Sequence, residues 1–178
     1  MTPVASSPAQ PSTASSQGLS WQCLAFDQLS VTQLYAWLQL RTAVFVVEQA
    51  CVFQDMDGAD PACHHLLAWD AAGQLLAAAR LVPAGLKYPQ ASIGRVVTSP
   101  AARGLALGHT LMARACDELQ GLWGAQPIRI GAQAHLQSFY GRHGFVTDSP
   151  PYDEDGIAHV EMLRPADPPT PPGEPHDF

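Results

Sequence analysis

The chain has 178 residues, 47% hydrophobic and only 14% charged, a length that fits one domain able to bury a core without metals or disulfides. Nine Lys and Arg stand against 16 Asp and Glu, a net charge of −7 that argues against a nucleic-acid binder relying on a basic surface. No apolar run reaches the roughly 20 residues that cross a bilayer, and the scattered cysteines (Cys23, Cys51, Cys63, Cys116) form no C-x-x-C pair, which disfavours a zinc ribbon or disulfide scaffold and fits a reducing cytoplasm.

The first 18 residues are rich in Ser, Pro, Ala, Thr and Gln and carry no charged or aromatic side chain. They lack the basic and apolar regions of a secretory signal and the arginines of a mitochondrial presequence. Pro165 to Phe178 holds six prolines in fourteen residues. Segments 1–20 and 165–178 therefore read as disordered tails around one folded domain spanning 21–164.

Within it, "WQCLAF" predicts a first strand, and Ser30-Val-Thr-Gln33 a capping box at the head of a helix. That helix carries Val31, Leu34, Leu38 and Phe45 on one stripe and Trp37, Leu40, Val44 and Val47 on another, a pattern expected of a helix covered on much of its girth. Residues 48–63 form a polar loop with Glu48, Asp55, Asp57 and Asp60. "HHLLAW", a turn at Asp70–Gly73 and "QLLAAARLVP" make a hairpin, followed by the strand "SIGRVVTS" ended by Pro100. Residues 104–123 read as a helix with Leu107, Leu111, Leu119 and Leu122 on one face. "IRIGA" is a short buried strand, 136–143 a short helix stopped by Gly144, and 159–164 a closing strand. This order predicts an α/β sandwich around a mixed sheet.

Charge is distributed unevenly. Between Asp70 and Asp117 there is no acidic residue, yet the stretch carries Arg80, Lys87, Arg95, Arg103 and Arg114. Chance in a chain with few charges is the bland alternative; an anion facing this segment is the functional one. "ARGLALGH" joins a strand end to a helix start, where unpaired amides and the helix dipole favour an anion and small residues let it approach. Arg103 adds a charge-assisted contact. No Lys-Ser/Thr follows the glycines and no G-x-G-x-x-G is present, so neither a Walker loop nor a dinucleotide fingerprint applies.

The run "SIGRVVTSPAARGLALGHTLM" resembles the strand-turn-helix of the GNAT superfamily of acetyl-CoA-dependent N-acyltransferases, with Arg103, Ala106 and Gly108 at its Arg/Gln-x-x-Gly-x-Gly/Ala positions. "IRIGAQAHLQSFYGRHGF" matches its second signature. "LQLRTAVFVVEQ", "QDMDG", "IGRV", "GAQAHLQSFY" and "YDEDGIAHVEM" are similar to the ElaA-like branch. The resemblance implies a central mixed, largely antiparallel sheet flanked by helices on both faces. It also implies acetyl-CoA as co-substrate, with no metal. In two places the chain departs from the pattern: Ala106 stands where the superfamily usually has glycine, its amide usable if the residue keeps a helical conformation, and Gln133 stands where many relatives have asparagine, with the same hydrogen-bonding groups on a longer arm.

The resemblance further implies direct attack of an amine on the acetyl thioester. Arg103, Gly104, Leu105, Ala106, Leu107, Gly108 and His109 would hold the pyrophosphate. The backbone of Val96, Val97 and Thr98 would pair with the pantetheine arm, an amide near Val97 polarising the thioester carbonyl, and Gln133 would also contact the cofactor. Tyr140 matches the tyrosine that protonates the departing thiolate; a core aromatic is the plainer alternative. Many relatives place a glutamate base on the strand before the turn, but here Arg95 stands there. Glu48 and His65 are the base candidates carried forward, with Asp57 and His159 beside them. Against these, His65 on an apolar strand reads first as a structural histidine, and Glu48 equally as a solvated helix end. Asp55, Asp57, Asp60, Asp153, Glu154 and Asp155 are either solvated loop carboxylates or attractants for a cationic amine or peptide N-terminus. A calcium loop is rejected for lack of its sixth-position glycine and twelfth-position glutamate. The expectation is an N-acetyltransferase acting on a primary amine of a small molecule or peptide, as monomer or homodimer. The alternatives are a catalytically silent acyl-CoA sensor or partner-docking module of the same fold, and a purely structural partner protein.

Overall fold

A computed structural model describes residues 18–166. The tail expectations for 1–17 and 167–178 lie outside those residues.

Eight strands form one sheet: β1 (Ser20–Ala25), β2 (His64–Trp69), β3 (Leu75–Val82), β4 (Ala91–Thr98), β5 (Ile128–Gln133), β6 (Val146–Thr147), β7 (Tyr152–Glu154) and β8 (Ile157–Arg164). Their order is β1-β2-β3-β4-β5-β8-β6, with β7 also paired to β8. All pairings are antiparallel except β4–β5. That parallel step requires a crossover, supplied by helix α2 (Leu107–Trp123). Helix α1 (Val31–Arg41) covers the other face, and α3 (Gln137–Gly141) follows β5. The two short strands β6 and β7 were not anticipated: segments of two and three residues give no alternation to read.

Every residue of β3 is buried, since helices cover both its faces. Ala77, Ala79 and Leu81 pack with Leu111, Met112, Ala115 and Leu119 of α2, while Ala78 packs with Trp37, Leu40 and Val44 on the α1 side. The small alanines let both helices approach closely, and the two cores supply the apolar burial that holds the domain.

Helix α1 begins as expected. Ser30 Oγ accepts from Gln33 N at 3.2 Å and Gln33 Oε1 accepts from Ser30 N at 2.9 Å. Its girth is less covered than the two stripes suggested. Trp37, Leu40 and Val44 are buried, but Val31 is 85% and Val47 72% exposed, because the helix meets only one sheet face. Beyond Arg41 the helix loosens into a π-helical stretch, Thr42–Glu48, whose wider turn is continued by Gln49 N donating to Val44 O at 3.2 Å.

The feature that shapes the site is where β4 and β5 separate. Their pairing is limited to Ala91↔Ile128 and Ser92↔Arg129. Beyond Gly94 a bulge shifts the β3–β4 register, with Arg95 at φ 50°. The edge of β4 facing β5 is thereafter unpaired, and the strands enclose a gap. Gly131 on β5 leaves room there: a Cβ would lie 3.1 Å from the hydroxyls of both Tyr88 and Tyr152, which would have to shift.

Candidate active site

The gap opens into a cleft of about 170 Å³. Val96 forms the β4 wall, Gly131 and Gln133 the β5 wall, and the π-helical stretch brings Phe45 and Gln49 over the top. Tyr140 comes from α3 and is only 9% exposed. Its hydroxyl makes no hydrogen bond among the described residues, and burial pushes its pKa up to about 12, so it is a protonated donor at neutral pH. His159 reaches the same cleft from β8. Its Nδ1 is 2.8 Å from Ile157 O, and since a carbonyl only accepts, Nδ1 carries a proton and Nε2 is the ring atom left to exchange one.

At the far end of β4 lies a second hollow, lined by Thr98, Arg103, Gly104, Ala106, Gly108 and His109. Gly104 has φ 83° and Ala106 φ 54°, both left-handed. The first bonds of α2 are His109 N and Thr110 N to Ala106 O, at 3.0 and 3.4 Å, so the amides of Leu107 and Gly108 lie ahead of the ladder. Leu107 anchors the turn in the core and Leu105 is 37% exposed. A Cβ on Gly108 would meet the Phe139 ring at 3.5 Å. Unpaired amides at such a helix start suit an anion, and the hollow adjoins the open strand edge at Thr98.

A family model for the acetyltransferase (GNAT) domain matches residues 30–164. The chain belongs to the GNAT acetyltransferase family. Its reaction class is accordingly acyl-CoA-dependent N-acyl transfer. Protein ElaA of Escherichia coli strain K12 is 45% identical over 148 residues, covering 82% of this chain and 96% of its own length. The crystal structure of an acyl-CoA N-acyltransferase from Pseudomonas aeruginosa is similar to it with a TM-score of 0.77 and 50% identity. E. coli ElaA itself superposes with a TM-score of 0.77 at 44% identity, each structure covering 82% of this chain and 99% of its own. Both the ElaA-like resemblance and the mixed, largely antiparallel sheet hold.

Relative to the GNAT pattern, the residues expected from sequence fall into three groups. Val96, Gln133, Tyr140 and His159 share the cleft, and Thr98 with most of the 103–109 turn lines the hollow beyond it. Gln133 Nε2 donates to Gln49 Oε1 across the gap at 3.3 Å. Ser99 N donates to Leu76 O at 2.7 Å, and strand alternation therefore turns Val97 toward β3 as well. Thr98, rather than Val97, offers its amide to the gap. Ala106 is left-handed where a helical conformation was the expectation, which accounts for the family's glycine at this position.

Glu48 lies at the rim, where both its oxygens accept from Arg103 Nη2 at 2.8 Å. His65 does not reach the cleft. It is fully buried, Nδ1 accepts from Trp37 Nε1 at 3.0 Å, and Nε2 must then donate to Asp60 O at 3.1 Å. Having no lone pair to offer, it is a structural histidine rather than a base. Burial also holds its pKa below the ordinary range.

Asp55, Asp57 and Asp60 correct a further expectation: Asp55 and Asp60 are buried, Asp57 is partly exposed, and arginines of the fold take up all three. Arg41 Nε pairs with Asp55 Oδ2 at 2.7 Å and Nη1 with Asp60 Oδ1 at 2.8 Å. Arg80 Nη1 pairs with Asp57 Oδ1 at 2.7 Å and Asp60 Oδ1 at 2.9 Å. Arg95 Nε sits 2.8 Å from Asp55 Oδ1. Hydrogen bonds from the Arg80 guanidinium, chiefly, hold the Asp57 carboxyl far below the usual carboxylate range, so it is no proton acceptor near neutrality. The acid-free segment therefore does not face one anion: Arg80 and Arg95 are neutralised by this loop, and Arg114 lies over Trp21 at 4.8 Å. Only Arg103 of the five lines the hollow at the start of α2. One signal could have revealed the network: an arginine inside the apolar run "LLAAARLV" must find carboxylates in the folded state.

Proposed function

We propose that the chain transfers the acetyl group of acetyl-CoA to a primary amine, with Tyr140 as donor to the leaving sulfur and His159 as base. The carrying observation is the unpartnered hydroxyl of the buried Tyr140 sharing one cleft with His159 and with Val96 of the unpaired strand edge. The residues fit an acyl-CoA: Arg103 and the amides of Leu107 and Gly108 suit a pyrophosphate, and the open edge at Thr98 suits a pantetheine amide.

The amine nitrogen attacks the thioester carbon; a C–N bond forms, the C–S bond breaks, and the amine proton passes to His159 Nε2. Tyr140, pushed up to about 12, lies above the roughly 8.5 of a thiol. It therefore stabilises charge on the sulfur as a hydrogen-bond donor, with protonation completed from solvent. Acetyl-CoA should raise the Tm of the wild type and of Tyr140→Phe alike, and Arg103→Glu should abolish that rise. Turnover, followed by free-thiol release over a panel of amines, should fall about 10²–10⁴-fold in Tyr140→Phe. No thermal shift at saturating acetyl-CoA, or full turnover in the phenylalanine variant, overturns the reading.

Arg95, tied to Asp55 where many relatives place a glutamate, favours a second reading as a silent acyl-CoA sensor. Binding without turnover on any amine would select it. The four cysteines are all free, which supports a reducing compartment such as the cytoplasm. Among the described residues no helix is long and apolar enough to cross a membrane.

A further inference from the structure

The acceptor half of the cleft has a charge pattern of its own. Glu154 and Asp155, from the tight turn between β7 and β8, line it beside Phe45, Phe53 and Ile157. The loop acids Asp55, Asp57 and Asp60 are consumed by arginines, but neither Glu154 nor Asp155 has an ion-pair partner among the described residues. Lys87 acts on Glu154 electrostatically without pairing with it. Arg95, the one cation in the cleft wall, is already held by Asp55 and Asp57, at 2.8 and 3.5 Å. Independently of these carboxylates, the Tyr140 side chain is nine-tenths buried and lines the same cleft with its hydroxyl unpartnered, which fixes the reacting end of the site.

Building on the proposed acetyl transfer, we infer that the acceptor is a dication: a primary amine separated by a short apolar spacer from a second positive group, with no carboxylate. The reacting nitrogen lies toward Tyr140 and His159, the spacer runs along Phe45 and Ile157, and the second cation meets Glu154 and Asp155. A carboxylate in the acceptor would face these two acids without compensation.

Three probes of equal length isolate the charge: tetramethylenediamine, butylamine and γ-aminobutyrate, each titrated calorimetrically into the full chain saturated with coenzyme A. The diamine should bind about tenfold more tightly than butylamine, and γ-aminobutyrate most weakly. The double variant Glu154→Gln, Asp155→Asn should lose this ranking while keeping the coenzyme-induced rise in Tm. Asp117→Asn with Glu118→Gln, in α2 and outside the cleft lining, changes net charge equally and should keep it. Equal binding of diamine and monoamine, or a ranking that survives the first double variant, overturns the inference. Because the readout is binding, its failure is separate from that of acetyl transfer: a diamine that binds in this order but is never acetylated would sink the transfer reading alone.

Discussion

Ala106 shows how a single backbone conformation shapes the turn at Arg103–His109. At φ 54° its Cβ crowds the following carbonyl, a strain of about 1 kcal/mol for an L-residue. The strain persists because Leu107 is locked in the core on one side and Gly104 bends the chain at φ 83° on the other. Replacing Ala106 with glycine removes the clash at the cost of a freer unfolded chain, so the net gain should be below about 1 kcal/mol, read as a small rise in urea midpoint. A loss of stability would show that the Cβ packs usefully instead. His65 illustrates the opposite lesson. Its place on an apolar strand left two roles open, and only the indole of Trp37 and the carbonyl of Asp60, converging on its two nitrogens, remove the catalytic one.

At the level of elements, the loop between the π-helical stretch and β2 is ordered by charge rather than by apolar burial. Asp60 is the hinge of the network, its Oδ1 shared by Arg41 and Arg80, whose side chains are 0% and 2% exposed. Asp60→Asn leaves both guanidinium groups short of one anion in a dry site and should cost about 3–5 kcal/mol of unfolding free energy in urea. A loss under about 1 kcal/mol, the scale of an exposed pair, would mean that water reaches the cluster. The Arg103–Glu48 bridge is that exposed kind, with both side chains over 40% exposed, and it contributes to the position of the rim rather than to stability. Together the loop and the π-helical stretch carry Phe45, Gln49, Cys51 and Phe53 to the cleft.

For the whole molecule, acid stability should fall in two stages. Burial holds the folded pKa of His65 below its ordinary value, as it does for His143 beside His109 and Arg164. The unfolded chain then takes up protons first, so stability is complete above about pH 6.5 and declines as pH falls below it. Asp57, held far down by hydrogen bonds from Arg80, stabilises the fold above about pH 4 and adds the second loss below that. Urea midpoints measured across this range should show both stages, with the first reduced in His65→Gln. A first stage unchanged in that variant would remove His65 as its source.

The order of the longer elements, the capping box at Ser30, the position of the turn at Arg103–His109 and the motif around Tyr140 were legible in the sequence, because each rests on neighbours within a few residues. The separation of β4 from β5, the pairing of three arginines with three loop aspartates, and the meeting of His159 with Tyr140 were not. Each joins segments distant along the chain, and only the sheet order brings them within reach. The sequence by itself determined which chemical groups this protein owns and where its strand-to-helix turn at Arg103–His109 falls. Tertiary structure decided which of those groups are neutralised, which are left unpaired in the cleft, and which can therefore react, since burial and partners, not residue type, set the availability of a proton or a lone pair.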